Sequence, residues 1–267
     1  MAGIRVMVAG ACGRMGSETA RAVLQQKDMV LAGAADICCL GDDLGPIIGT
    51  EPLGVTIVAA EEAVIRQMAP EVMVDFTNPQ SVLGNAKNAL RAGVVPVIGS
   101  TGLDDEDLRE LRELSEEVGV GVFIAPNFAL GALLMMRFAE EAAKYFPHVE
   151  IIEYHHDQKL DAPSGTALRT AEKIVQVRGA MFQGHPNEYE KLPGARGGDY
   201  NGVKVHAVRL PGMLAHQEVL FGGAGQTLSI RHDTYTRETY MPGVLMAIRR
   251  SRGLKGFVVG LEKYLDT

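Results

Sequence analysis

A short β-rich run, Ile4 to Ala9, leads straight into Gly10-Ala11-Cys12-Gly13-Arg14-Met15-Gly16. Ser17 to Gln26 then reads as a helix with Ala20, Val23 and Leu24 on one face. Strand, glycine loop and helix in immediate succession admit few folds. Gly10 permits a tight turn, and Gly13 and Gly16 permit close backbone approach to a pyrophosphate and close helix packing. The spacing is G-x-x-G-x-x-G, with Cys12 where the commonest dinucleotide fingerprint has its second glycine. Arg14 is placed either to reach a phosphate or to lie exposed in the first helical turn. A second strand, Met29 to Ala35, ends at Asp36, 20 residues past Gly16. That is the interval to the acid that bonds an adenosine ribose. Ile37, Cys38 and Cys39 follow, so neither lysine nor arginine stands beside Asp36 to pair with a 2′-phosphate. NADH is therefore expected to serve at least as well as NADPH.

The alternation continues. Residues 41–54 are glycine-rich and predict a loop. Strands are expected over Val55–Ala59, Val72–Phe76, Val94–Ile98 and Gly121–Ala125, and helices over Glu61–Met68, Ser81–Leu90 and Asp104–Val118. This predicts an α/β, Rossmann-like, doubly wound parallel sheet. Ligands of such sheets bind beyond the carboxyl ends of the strands. Besides the first loop, three segments lie there: Phe76-Thr77-Asn78, Gly99-Ser100-Thr101-Gly102 and Ala125-Pro126-Asn127-Phe128. Their small, polar or backbone-exposing residues suit a ribose and a nicotinamide.

In the second half, Ala129–Tyr145 and Ala167–Val177 read as helices, and 182–200 as a polar excursion. Val203–Arg209, His216–Phe221 and Gln226–His232 read as strands joined without helices, which predicts an open mixed sheet in an α+β domain. Pro242–Arg250 is a final helix expected to return to the first domain. The resulting division is 1–126 completed by 240–267, a dinucleotide-binding domain, and 127–239, a substrate domain.

Residues 150–166 carry the densest chemistry. His155 and His156 can exchange protons near neutral pH. Lys159 offers a compact charge for a carboxylate, or a proton. Ser164, Gly165 and Thr166 precede a helix, where free N–H groups and hydroxyls converge on an anion. A proton donor beside an anion cradle suggests a small acidic ligand. The same Ser-Gly-Thr also serves as an ordinary helix cap. Arg231, His232, Asp233 and Arg237 read equally as ligands or as structural ion pairs.

With 46 % hydrophobic and 22 % charged residues, the composition is that of a globular chain. A net charge of −7 disfavours nucleic acid and membrane surfaces as partners. No apolar run is long enough to span a bilayer, and the N-terminus has no signal-peptide pattern, so a cytoplasmic protein is expected. Three cysteines, Cys12, Cys38 and Cys39, suggest neither a disulfide framework nor a metal site.

The loop Gly10 to Gly16 and the stretch Glu153-Tyr154-His155-His156-Asp157-Gln158-Lys159-Leu160-Asp161-Ala162-Pro163-Ser164-Gly165-Thr166-Ala167 together resemble the 4-hydroxy-tetrahydrodipicolinate reductases of the bacterial diaminopimelate and lysine pathway. The resemblance runs nearly the whole chain. It includes Gly99–Gly102, Ala125–Phe128, Arg209-Leu210-Pro211-Gly212 and His216-Gln217-Glu218-Val219. It implies NAD(P)H-dependent reduction with loss of water from the hydroxylated ring. His155 and Lys159 would be the proton donors. His156, Lys159, Ser164, Gly165, Thr166 and Arg237 would hold the carboxylates of the substrate. Gly10, Ala11, Cys12, Gly13, Arg14, Met15, Asp36, Gly99, Ser100, Thr101, Ala125, Pro126, Asn127 and Phe128 would hold the cofactor. It also implies a homotetramer assembled through the substrate domain's sheet. Many relatives place arginine where this chain has Ile37, which leaves an NADPH preference open. Two other readings stand beside this one: a Schiff-base lyase acting through Lys159, which would have no use for Asp36 and the glycine loop, and an NAD(P)-binding regulator without turnover.

Overall fold

Val6, Met7, Val8 and Ala9 are wholly shielded from solvent, as expected of a strand covered on both faces. They belong to β1 (Ile4–Ala9) of a computed structural model that describes residues 3–265. After it come α1 (Arg14–Leu24), β2 (Met29–Ala35), α2 (Leu44–Ile47), β3 (Ile57–Val58), α3 (Glu62–Met68), β4 (Val72–Asp75), α4 (Val82–Arg91), β5 (Val95–Ile98), α5 (Asp105–Val118) and β6 (Val122–Ile124). Every pairing among these strands is parallel. The chain winds outward from β1 through β2 and β3 on one side, and through β4, β5 and β6 on the other. The winding reverses between β1 and β4, and a doubly wound sheet opens its ligand crevice there.

Local signals set the element ends. Asp104 caps α5 by accepting from the amides of Glu106 and Asp107 at 2.9 Å each, and the Asp107 carboxylate returns the bond to the Asp104 amide. Gly119 closes the helix in the left-handed conformation, φ 66°. The 41–54 segment, expected as a loop, holds the single turn α2. Asp43 creates that turn by accepting from the Gly45, Leu53 and Gly54 amides.

The second unit spans Leu130–Thr239. It contains α6 (Leu130–Ala142), β7 (His148–His155), α7 (Gly165–Arg178), β8 (Gly198–Tyr200), β9 (Val203–Arg209), β10 (Ala215–Gly223) and β11 (Gln226–Thr234). The strand order is β11-β10-β7-β9-β8, with β7 and β9 parallel and the other pairs antiparallel: the open mixed sheet expected. Along β7, Val149, Ile151 and Glu153 are buried while Glu150, Ile152 and Tyr154 are less so, the period of a sheet packed on one face.

From Tyr240 onward the chain belongs again to the first unit, which also keeps residues up to Ala129. Residues 127–129 were expected in the second unit. They stay with the first because Phe128 packs edge-on against Phe76, with centroids 5.6 Å apart. The returning segment holds α8 (Met241–Ser251) and β12 (Phe257–Val259). β12 pairs in parallel with β6 as the seventh strand, beyond the last element the sequence predicts. No helix among the described residues is long and apolar enough to cross a membrane.

Candidate active site

The glycine loop is built by steric exclusion. Gly10 has φ +77°, and a Cβ there would lie 2.6 Å from the Phe76 carbonyl oxygen. A Cβ on Gly16 would lie 2.0 Å from the Gly10 carbonyl oxygen, so α1 can approach the loop only with glycine at that position. The Gly13 amide donates to Gly10 O at 3.0 Å and closes the turn. Arg14 is exposed in the first turn of α1 and Met15 is half-buried beside it.

Asp36 joins this loop to the end of β2. One carboxylate oxygen accepts from the Cys12 amide at 2.9 Å. The other accepts from the amides of Ile37 and Cys38, at 2.7 and 3.1 Å. Cys12, Cys38 and Cys39 are free thiols, and the first two bond this acid through their amides. Burial, then the charge of Asp36, pushes the Cys12 thiol up to about 12, so it stands protonated and unreactive. A cavity of about 520 Å³ opens here. It is walled by Gly10, Cys12, Gly13 and Asp36 and by Phe76, Thr77 and Asn78 after β4.

Gly99 to Thr101 and Ala125 to Phe128 are not among the cavity's walls but are tied to them. Asp75, fully buried at the end of β4, accepts from the Thr77 amide (2.9 Å) and hydroxyl (2.7 Å), Asn85 Nδ2 (2.9 Å) and Ser100 Oγ (2.8 Å). The Gly99 amide donates to the Asp75 carbonyl, and the Ala125 amide to Ile98. Asn127 Oδ1 caps the next segment through the Ala129 amide, and the Phe76–Phe128 contact links the two loops. Asp75 lies outside the residues the sequence motifs single out, and its one local signal is that a charged residue closes the wholly apolar run Val72-Met73-Val74.

In the second unit, β7 ends at His155, directly opposite Arg209 of β9. His155 Nδ1 is in short hydrogen-bond contact with the Glu153 carboxylate. Glu153 is 0 % exposed. It also accepts from Arg209 Nη1 and Nη2, at 2.9 and 2.8 Å, and from the Ser164 amide at 3.2 Å. Burial works to raise the carboxyl of Glu153, but the bonds from His155 and Arg209 outweigh it, so the group stays ionised well below the usual range. Arg209 Nη2 donates further to the Asp161 carbonyl at 2.8 Å. Lys159 Nζ contacts Asp161 Oδ1 at 2.6 Å, and the Lys159 amide turns back onto the His156 carbonyl. His156 is exposed.

Ser164 caps α7: its Oγ accepts from the Ala167 amide at 3.2 Å. The helix thus begins at Gly165, two residues before the expected Ala167, with Gly165 and Thr166 supplying first-turn amides. A Cβ on Gly165 would meet nothing within 4 Å, so open space adjoins those amides. His155, the Lys159 loop and the Ser164–Thr166 cap are therefore brought together. Arg237 begins a short 3-10 turn, Arg237–Tyr240, and no hydrogen bond ties it to that cluster among the described residues. Arg231 and Asp233 form an ion pair with each other, joined by His216 and Glu218.

A crevice at the switch point of a parallel sheet, lined by glycines and an acid closing β2, defines an NAD(P)H-dependent oxidoreductase. The chain belongs to the dihydrodipicolinate reductase family. The family's N-terminal model matches residues 4–128 and its C-terminal model residues 131–265. The chain is 60 % identical to the 4-hydroxy-tetrahydrodipicolinate reductase of Desulfitobacterium hafniense, over 98 % of this chain and 99 % of that one. It is 54 % identical to the enzyme of the same name from Moorella thermoacetica, over 100 % and 99 %. A dipicolinate-bound dihydrodipicolinate reductase from Paenisporosarcina sp. TG-14 superposes with a TM-score of 0.87 at 46 % identity, covering 98 % of this chain and 100 % of that one.

Proposed function

We propose that the chain catalyses NAD(P)H-dependent reduction of 4-hydroxy-tetrahydrodipicolinate to tetrahydrodipicolinate, with loss of water, in diaminopimelate and L-lysine biosynthesis. The observation that carries the reading is the gathering of His155, the Lys159 loop and the N-terminus of α7 about one buried carboxylate. Relatives bearing the reductase name, at 60 % and 54 % identity, support it.

Gly10 to Met15 and Asp36 hold the dinucleotide, with Gly99 to Thr101 and Ala125 to Phe128 along its path. The reduced nicotinamide supplies the hydride. The residues do the rest. The ring hydroxyl departs as water with a hydrogen from the neighbouring carbon, and the unsaturated ring then takes up the hydride and one proton, which His155 or Lys159 delivers. His156, Lys159, the Ser164 hydroxyl and the Gly165 and Thr166 amides hold the two carboxylates, with Arg237 as a further cation. This local positive field draws a dianion to a protein of net charge −7.

Three amides already bond the Asp36 carboxylate, and Ile37 stands where a 2′-phosphate would need a cation. NADH therefore serves at least as well as NADPH. A kcat/KM for NADPH more than about tenfold above that for NADH contradicts this. The protein acts in the cytoplasm as a homotetramer joined through the mixed sheet, whose less covered face carries Ile152 and Tyr154. Light scattering that finds a monomer overturns the assembly. The test of function is a coupled assay: pyruvate, aspartate semialdehyde and the preceding synthase generate the substrate, and oxidation of NADH and NADPH is followed. Cofactor binding without substrate-dependent oxidation would instead mark a regulator.

A further inference from the structure

Glu153 is the one charged side chain in the second unit that is completely shielded from solvent and touches a residue of the proposed catalytic segment. An ionised carboxylate offers about four acceptor sites. Here they meet three donors, Arg209 Nη1, Arg209 Nη2 and the Ser164 amide, and His155 Nδ1 stands against the carboxylate as the fourth partner. A buried ion pair is poor evidence of a stability requirement, because apolar residues of similar volume usually fold as well or better. Its cost is better explained by what it orients. All the contacts point the same way. His155 is the residue that ends the strand, the Asp161 carbonyl held by Arg209 lies two residues past Lys159, and Ser164 caps the helix proposed to bind carboxylate.

We propose that Glu153, braced by Arg209, is a positioning residue for the reaction: it keeps a proton on Nδ1 of His155, so that proton exchange with the substrate runs through Nε2 alone. An acceptor-only carboxylate requires a donor at the facing ring nitrogen. Whether the ring is neutral or charged, Nδ1–H then stays on Glu153 and Nε2 is the nitrogen left free. The register of β7 against β9 builds this in, because it sets Arg209 opposite His155 and so on the same buried carboxylate. This rests on the reading of His155 as a proton donor.

The first test reads the wild-type ring directly. Nitrogen-15 spectra of histidine-labelled protein, with the His155 signal assigned by its loss in His155→Gln, report the tautomer of the neutral ring. The Nδ1–H form is expected, and the Nε2–H form overturns the proposal. The second test is a cycle of Glu153→Gln, His155→Gln and the double variant. Glutamine at 153 lets the ring turn over to the wrong tautomer, so kcat is expected to fall at least about tenfold. Added to His155→Gln, the same change is expected to lower kcat no further, because it acts through that ring. Glu153→Asp should restore part of the lost kcat. Undiminished kcat in Glu153→Gln, or losses that multiply in the double variant, overturn the positioning role. Where Glu153→Gln does not fold, Glu153→Met combined with Arg209→Leu replaces the whole ion pair. Its kcat should be equally low at a Tm near that of the parent, and a wild-type kcat overturns the proposal. An undiminished kcat in His155→Gln instead overturns the reading of His155 itself.

Discussion

Lys159→Ala separates chemistry from folding more cleanly than any other change at this site. The Lys159 side chain is 21 % exposed, and its one ion-pair partner, Asp161, is 63 % exposed. Pairs so open to water contribute under about 1 kcal/mol to stability, because water screens the attraction and two side chains must be ordered. The Asp161 carboxyl is held low by the hydrogen bond from Lys159, but that pull acts on a group in solvent. Removing the ammonium therefore leaves Tm within a few degrees of wild type. With Lys159 in its proposed roles, kcat is expected to fall by about 100-fold or more, or about 2.7 kcal/mol on the barrier. The assay is coupled turnover at saturating NADH beside a thermal melt, with a direct titration of NADH as control. A kcat within about threefold of wild type, in a variant that melts normally, would refute the assignment. A large fall in Tm would refute the view of the ion pair as peripheral.

Other expectations follow from single contacts. Gly16→Ala places a Cβ 2.0 Å from a backbone oxygen that cannot swing aside, so the loop must move. A cost of about 1–3 kcal/mol in stability is expected, with NADH affinity weakened at least about tenfold by fluorescence titration; unchanged affinity contradicts the steric account. Asp75→Ala strips the acceptor from Thr77, Asn85 and Ser100 and should cost about 3 kcal/mol by urea unfolding. A loss below about 0.5 kcal/mol would show that water replaces it. For pH, burial raises the carboxyl of Glu150, and bonds from Arg196 and His206 outweigh that and lower it. Its stabilisation is therefore present above the ordinary glutamate range, about 4.3, and is lost as pH falls through the folded value. The stability gap between wild type and Glu150→Gln should narrow on acidification, and a gap that widens contradicts the sign.

What the sequence disclosed and what it hid divide along a physical line. The glycine loop was legible because its spacing encodes backbone geometry, and Gly10 and Gly16 stand where a Cβ would collide. The parallel sheet was legible because strands buried on both faces are apolar along most of their length. β12 was not, because Phe257–Val259 is three half-buried residues whose strand state comes from pairing with β6, far away in the chain. The start of α7 was set two residues late because Gly165 and Thr166 are poor helix formers, and only the cap from Ser164 fixes it. Glu153 escaped notice because a glutamate in a strand reads as solvent-facing. Its inward phase with Val149 and Ile151 was nonetheless present in the alternation. Arg209 stood in a recognised motif with no role, since a partner 56 residues away is a fact of register that no local pattern carries.

The most direct measurement is isotope transfer. NADH deuterated at its transferable position, supplied with synthase-generated substrate, should yield tetrahydrodipicolinate carrying the deuterium by mass spectrometry, at a rate that collapses in Lys159→Ala. NADH consumed without deuterium in the product, or label transferred at an undiminished rate by that variant, would contradict hydride delivery to a dicarboxylate held by this segment.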